Sequence, residues 1–203
     1  MKRGSWSSTE TSALSVSPRV GSRRNKLLEN GLRLGGYPRK TGGNVGHGAL
    51  RGFGMDITSV NDWMAVGGGI WKSADNMAAV WQAGITHIIN MQKEFPDDEE
   101  LAQPYGIEVR WIGIDDDFQP KPPEIFELGV GFAEEALKDP KAKLFIHCAA
   151  GVHRAPMMAL ALLAVRERMS VEDAMDLIQE RRPVVDFADV YVQSVERFLR
   201  GRS

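Results

Sequence analysis

This chain predicts an α/β domain built on a mainly parallel sheet, and three observations say so. Short apolar or β-branched runs at residues 60–66, 85–91, 107–114 and 143–147 alternate with longer helical patterns. That alternation is the mark of strands joined by crossover helices. The last run leads through a short loop into a helix that is apolar on nearly every side, the pattern of a central buried helix. Hydrophobic residues make up 43% of the chain, yet no apolar run approaches the roughly 18 residues of a membrane span. A core can therefore form, and no membrane span is expected.

The 203 residues suit one domain with an extension. We expect a disordered basic tail or leader over residues 1–52 and the folded domain over 53–203. Residues 1–52 are rich in Ser, Gly, Arg and Asn and lack apolar periodicity. They read as a solvated tail, as an organelle transit peptide (residues 1–28 hold one acid, Glu10), or as a stretch outside the mature protein. Without an apolar core segment near the start, a secretory signal is not expected. Residues 1–55 carry ten basic against two acidic side chains, a balance of +8, while the remainder carries 15 against 25, or −10. An acidic domain is a poor nucleic-acid binder, so no nucleic-acid partner is expected. The single cysteine, Cys148, cannot form an intramolecular disulfide and fits a reducing compartment. The expected location is cytoplasmic, or an organelle if residues 1–52 act as a transit peptide.

Along the chain, residues 60–66 read as the first strand, closed by Gly67, Gly68 and Gly69. No Gly-Lys-Ser/Thr follows these glycines, so they are not a nucleotide phosphate loop. Ser73 caps a helix over 74–83, and Gly84 stops it. Residues 85–91 form a buried strand in which His87 packs as a core histidine. Residues 94–100, EFPDDEE, read as a solvated acidic loop. The strand 107–114 ends in Asp115, Asp116 and Asp117, whose adjacency should raise their pKa values and help keep one protonated. Pro122 and Pro123 open a helix with Ile125, Leu128 and Phe132 on one face. Ser170 and Asp173 start a helix that buries Val171, Ala174, Met175 and Ile178. A last helix carries Tyr191, Val195, Phe198 and Leu199 at helical spacing. Trp71, Trp81 and Trp111 read as core packing rather than as a sugar-binding platform.

The chemistry concentrates in residues 144–158, LFIHCAAGVHRAPMM. A loop between a strand end and a helix N-terminus turns backbone N–H groups toward an anion, and the helix dipole assists. A thiol there is expected to ionise readily and act as nucleophile. Arg154 can grip two phosphoryl oxygens with its fork. The candidate phosphate cradle is Ala149, Ala150, Gly151, Val152, His153 and Arg154. Gly151 would let the backbone turn without crowding the cradle.

HCAAGVHRA resembles the His-Cys-x5-Arg loop of the cysteine-dependent protein tyrosine phosphatases. The surrounding sequence, roughly residues 55–200, looks most like the dual-specificity branch. The resemblance implies a single α/β domain with a mainly parallel sheet flanked by helices, and no metal or organic cofactor. It implies an aspartate on a loop after a strand, acting as general acid and then base. Asp116, 32 residues before Cys148, holds that place, with Asp117 as runner-up. It implies that His147 supports the loop and the thiolate. His153 is less expected, and is read either as positive charge at the rim or as a solvent-facing side chain. Relatives usually carry Ser or Thr after the arginine; Ala155 here suggests a slow second step. The implied activity is hydrolysis of phosphotyrosine, and also of phosphoserine or phosphothreonine, in a protein or peptide through a phosphocysteine. The alternatives are a phosphoglucan, phosphoinositide or RNA 5′-phosphate substrate, or a non-catalytic phosphopeptide-binding module. The pH profile is expected to be bell-shaped, because Cys148 must be ionised while Asp116 is protonated.

Overall fold

Strands and helices alternate as expected and form one five-stranded sheet with a helical layer on each face. The computed structural model describes residues 54–97 and 99–202, so the reading of residues 1–52 as a tail lies outside the described residues. The strands are β1 (Ile57–Ser59), β2 (Met64–Gly67), β3 (His87–Gln92), β4 (Glu108–Ile114) and β5 (Leu144–His147). Their order in the sheet is β1-β2-β5-β3-β4. Only β1 runs antiparallel to its neighbour; β2, β5, β3 and β4 are parallel. The helices are α1 (Ala74–Gln82), α2 (Glu99–Ala102), α3 (Pro123–Ala136), α4 (Arg154–Arg166), α5 (Val171–Arg181) and α6 (Asp189–Arg202). No helix among the described residues is long and apolar enough to cross a membrane.

The period of two along each strand divides the core. Ala65, Ile88 and Phe145 face one side, with Met77 and Val80 of α1. Met64, Val66, Ile89, Leu144 and Ile146 face the other, with α3 to α6. On that side α4 is buried from Arg154 to Ala164, because the sheet and α3, α5 and α6 surround it. Ser73 caps α1 by accepting from the Asn76 amide, and Ser170 caps α5 by accepting from the Asp173 amide. Both caps agree with the sequence reading.

Three local expectations change. The stretch 60–66 is not one strand. The Asn61 carboxamide oxygen accepts from the amides of Trp63 and Met64, folding a turn between β1 and β2. In α3, Leu128 is exposed and Ile125 and Phe132 are only half-buried, while Phe126, Val130 and Ala133 are buried instead. The buried face holds Gly129, where a Cβ would lie 2.4 Å from Met158 Sδ, so this is the face on which α4 comes close. Trp71, Trp81 and Trp111 are about half exposed, not core. Trp71 meets Phe95 edge to face at 6.1 Å, Trp81 tilts against Tyr105 at 5.5 Å, and the Trp111 indole donates to the Gln92 carbonyl.

Candidate active site

The parallel strands end together, and their C-terminal loops converge around Cys148, as is usual for open α/β sheets. Central strand β5 delivers Cys148, which is buried, and α4 begins six residues later at Arg154. The loop between them is anchored by its carbonyls. Ala149 O accepts from the Gly69 amide, Ala150 O and Gly151 O from Arg182, and Val152 O from the Asp186 amide. With the carbonyls taken from outside, the amides are left for the inner face. The Gly151 amide lies 3.3 Å from Cys148 Sγ, a donor that suits a sulfur anion. Among the described residues, the amides of Ala149, Ala150, Val152 and His153 donate to no backbone carbonyl outside regular structure.

Gly151 lets the backbone turn as expected, but what a side chain would crowd is different. Its φ is 65°, in the left-handed region. A Cβ there would lie 2.5 Å from the Gly67 backbone and 2.7 Å from an Arg182 nitrogen. The crowding comes from behind the loop, where the end of β2 passes, and not from the cradle.

Arg154 lies across the mouth of the loop, almost wholly buried. Its Nη1 donates to both Glu94 carboxylate oxygens, at 3.3 and 3.0 Å, and to the Ile114 carbonyl at 3.0 Å. Its Nε is buried and has no hydrogen-bond partner among the described residues. Burial works against the charge, but the Glu94 hydrogen bonds and the nearby Cys148, Glu94 and Asp116 outweigh it and raise the guanidinium pKa. The same contact, first through the Arg154 hydrogen bond, holds Glu94 below the usual carboxylate range.

The segment 94–100 is therefore not simply a solvated loop. Glu94 fixes Arg154. The Asp97 carboxylate is buried and sits 2.7 Å from His147 Nε2. His147 is fully buried, its ring stacked against Phe145 and its Nδ1 3.5 Å from the Cys148 carbonyl. A histidine buried directly under the loop needs a polar partner, and Asp97 supplies it. Sequence reasoning missed both acids; the one signal was their place at a strand end facing the cysteine loop.

The three consecutive aspartates part company. Asp115 pairs with Lys93 and Asp117 with the buried Lys121. The Lys121 hydrogen bond, then the Gln119 amide, pulls Asp117 below its usual range, so for Asp117 the expected mutual elevation is reversed. Only Asp116 turns to the loop. Its Oδ1 accepts from the Tyr191 hydroxyl at 3.1 Å; its Oδ2 lies 3.2 Å from His153 Nδ1 and 3.5 Å from Arg154 Nε. Burial, with Asp116 nearby, pushes the Tyr191 phenol up to about 12, so it keeps its proton as a donor. The structure thus gathers Cys148, Arg154, Asp116, His147 and His153 at the C-terminal end of the parallel strands and leaves Asp117 aside.

A thiol, an arginine and a carboxylate brought together where the parallel strands end are the groups that a cysteine-dependent phosphatase would use. Residues 69–198 match the family described as dual specificity phosphatase, catalytic domain, and the chain belongs to that family. Among curated relatives, dual specificity protein phosphatase 13B of Mus musculus is 29% identical over 136 residues, 63% of this chain and 67% of that protein. Its Homo sapiens counterpart is 29% identical over 119 residues, 55% of this chain and 58% of that one. Dual specificity protein phosphatase 4 of Homo sapiens is 26% identical over 102 residues, half of this chain and 25% of its own length. The chain thus spans between a quarter and two thirds of these relatives. Among solved structures, PTPMT1 superposes with a TM-score of 0.63 at 17% identity, covering 71% of this chain and 94% of that one. The human tyrosine phosphatase-like serine/threonine/tyrosine-interacting protein gives 0.63 at 19%, covering 72% and 97%. At such identities these likenesses speak for the fold alone. Family and fold together support a cysteine-dependent phosphatase activity in general.

Proposed function

We propose that this domain hydrolyses phosphotyrosine, and also phosphoserine or phosphothreonine, in a protein or peptide through a phosphocysteine on Cys148. One observation carries the proposal: Arg154 is pinned by Nη1 while its buried Nε has no hydrogen-bond partner among the described residues, only an ion-pair contact of 3.5 Å to Asp116 Oδ2. A buried donor without an acceptor costs stability unless a ligand completes it. A phosphoryl group, with its oxygens placed for a guanidinium fork, is such a ligand.

In the proposed mechanism, the Cys148 thiolate attacks phosphorus in line with the ester oxygen. The sulfur–phosphorus bond forms as the phosphorus–oxygen bond breaks. Asp116 gives its proton to the leaving oxygen. Arg154 and the inward amides of residues 149–154 hold the equatorial oxygens through both steps. Water then attacks the phosphocysteine, Asp116 takes its proton, and phosphate and thiolate are regenerated. His147 and Asp97 support the loop from behind. Ala155, wholly buried at the start of α4, has no hydroxyl to assist the second step, which supports accumulation of phosphocysteine.

PTPMT1 has also been solved in complex with PI(5)P. Against a phosphoinositide for this chain stand Ala149, Ala150 and Val152, which put no lysine into the loop. The test is turnover by wild type and Cys148→Ser on four substrates: phosphotyrosine peptide, phosphothreonine peptide, phosphoinositide and phosphoglucan. Turnover of phosphotyrosine peptide, lost in Cys148→Ser, is expected. Turnover surviving in Cys148→Ser overturns the mechanism, and preference for a lipid or glucan overturns the substrate.

A further inference from the structure

We propose that His153 is a positioning residue for the general acid: it keeps Asp116, 3.5 Å from Arg154 Nε, from closing further onto the guanidinium, so that the carboxyl can face the leaving oxygen. The inference rests on the reading of Asp116 as that acid. His153 precedes α4, and its ring is only partly exposed. Its Nδ1 lies 3.2 Å from Asp116 Oδ2 and its Nε2 3.7 Å from Asp186 Oδ2. Phe118 meets the ring edge to face at 5.1 Å and itself stacks on Tyr191. The imidazole is therefore oriented from three sides: by a carboxylate before α3, by a carboxylate before α6, and by an aromatic wall.

Asp116 Oδ2 has two nitrogen neighbours. His153 Nδ1 stands at hydrogen-bond distance. Arg154 Nε stands 0.3 Å farther, buried and without a hydrogen-bond partner. Tyr191 holds only the other oxygen, Oδ1, so the carboxyl can still swing about that contact. If His153 were absent, the remaining strong donor for Oδ2 would be Arg154 Nε. Asp116, already ion-paired with Nε at 3.5 Å, would then tighten to a hydrogen bond with the guanidinium, occupy the edge proposed to grip phosphate, and be spent there. One displacement would thus remove the acid and weaken the clamp together. His153 prevents it without touching substrate.

The test uses the full chain, with His153→Leu to remove the donor and His153→Asn to keep one near the Nδ1 position. Turnover is measured on p-nitrophenyl phosphate, whose leaving group needs little protonation, and on phenyl phosphate, whose leaving group needs more. Inhibition by inorganic phosphate is measured in parallel. His153→Leu is expected to lower kcat on phenyl phosphate by about 10²-fold, the low end for loss of an acid, and to lower kcat on p-nitrophenyl phosphate far less, while KM for both rises several-fold as the clamp weakens. The inhibition constant for phosphate should rise several-fold, and His153→Asn should recover most of both losses. Adding Asp116→Asn to His153→Leu should cost little beyond Asp116→Asn alone, because both act on one group. Retained p-nitrophenyl phosphate turnover shows that each variant is folded. If Asp116→Asn itself shows no dependence on the leaving group, the acid is wrongly assigned and the proposal falls with it. If Asp116→Asn is selective but His153→Leu is not, the acid stands and the role of His153 is overturned.

Discussion

Two buried arginines, one gripping the cysteine loop and one ending it, are built on opposite plans. Behind the loop, every guanidinium nitrogen of Arg182 is bonded within the chain. Nε donates to Gly151 O at 2.8 Å, Nη2 to Ala150 O and Asp56, and Nη1 to Asp56 and Thr58. Across the mouth, Arg154 makes its hydrogen bonds to described residues through Nη1, and Nε has none. A cation that the chain satisfies completely shapes the backbone. A cation held by one corner keeps the rest of its fork for something the chain does not contain. The two sides divide the work: Arg182 pulls carbonyls outward, and that leaves the amides and Arg154 to face inward.

Exchanging each side for a weaker residue tests that division most strongly. Arg154→Lys keeps the charge but loses the fork. It is expected to lower kcat/KM by about 10³-fold or more, within the range for an arginine that stabilises a transferring phosphoryl group, with the thermal midpoint nearly unchanged. Arg182→Met should do the reverse. It leaves Asp56 and two loop carbonyls unpaired and should cost about 3 kcal/mol, the low end for removing one partner of a buried pair, since Asp56 is half exposed. Activity would then fall chiefly as the fold is lost. Stability from denaturant melts and kcat/KM at a temperature where both variants are folded separate the two. A stable Arg182→Met with crippled turnover would merge the roles assigned here to the two arginines.

The same comparison explains what the sequence could disclose. Cys148, Gly151 and Arg154 are legible because they lie within seven consecutive residues, between a readable strand and a readable helix. The supporting residues are not, because their partners are remote. Arg182 meets Gly151 across 31 positions and Asp56 across 126; Asp97 meets His147 across 50, and Glu94 meets Arg154 across 60. Read alone, an acid in EFPDDEE is a solvated charge, because charged residues are seldom buried unless paired. The pairing, which decides burial, exists only once β3 and β5 lie side by side. The exposed tryptophans teach the converse. Hydrophobicity assigned them to the core, but Trp111 lies on β4, an edge strand, Trp81 on α1, an outer helix, and Trp71 in the turn before α1, and all three are about half exposed. Element order and helix caps were local properties and were readable. The short antiparallel β1 was not, since three residues give no periodicity.

The support behind the cysteine should matter less than either arginine, and Asp97→Asn measures how much. The substitution preserves shape and leaves His147 without its carboxylate. We expect kcat to fall about tenfold, the equivalent of one charge-assisted hydrogen bond of about 1.4 kcal/mol, with KM little changed. An effect as large as that of Arg154→Lys would put His147 in the chemistry itself and break the distinction between supporting and reacting groups.

The smallest effect is expected at Glu94, which holds the bound corner of Arg154. Glu94→Gln keeps an oxygen that can accept from Nη1 but removes the negative charge. Because Glu94 is about half exposed, solvent screens much of the pairing, and kcat/KM near pH 7 should change by no more than about threefold, the scale of a surface ion pair. The informative variable is pH. The Arg154 hydrogen bond lowers the Glu94 pKa from its ordinary 4.5. A carboxylate depressed in the folded state stabilises fully above its unfolded value, and that stabilisation disappears as pH falls through the lower folded value. The thermal midpoint of wild type should therefore exceed that of Glu94→Gln at neutral pH, and the gap should close only as acidification passes below 4.5. Taking the gap between the two proteins cancels the titration of the other carboxylates, which they share. A gap that stayed constant down to about pH 3 would mean that Glu94 holds Arg154 by shape and not by charge. The bound corner of that arginine would then be as purely structural as the whole of Arg182.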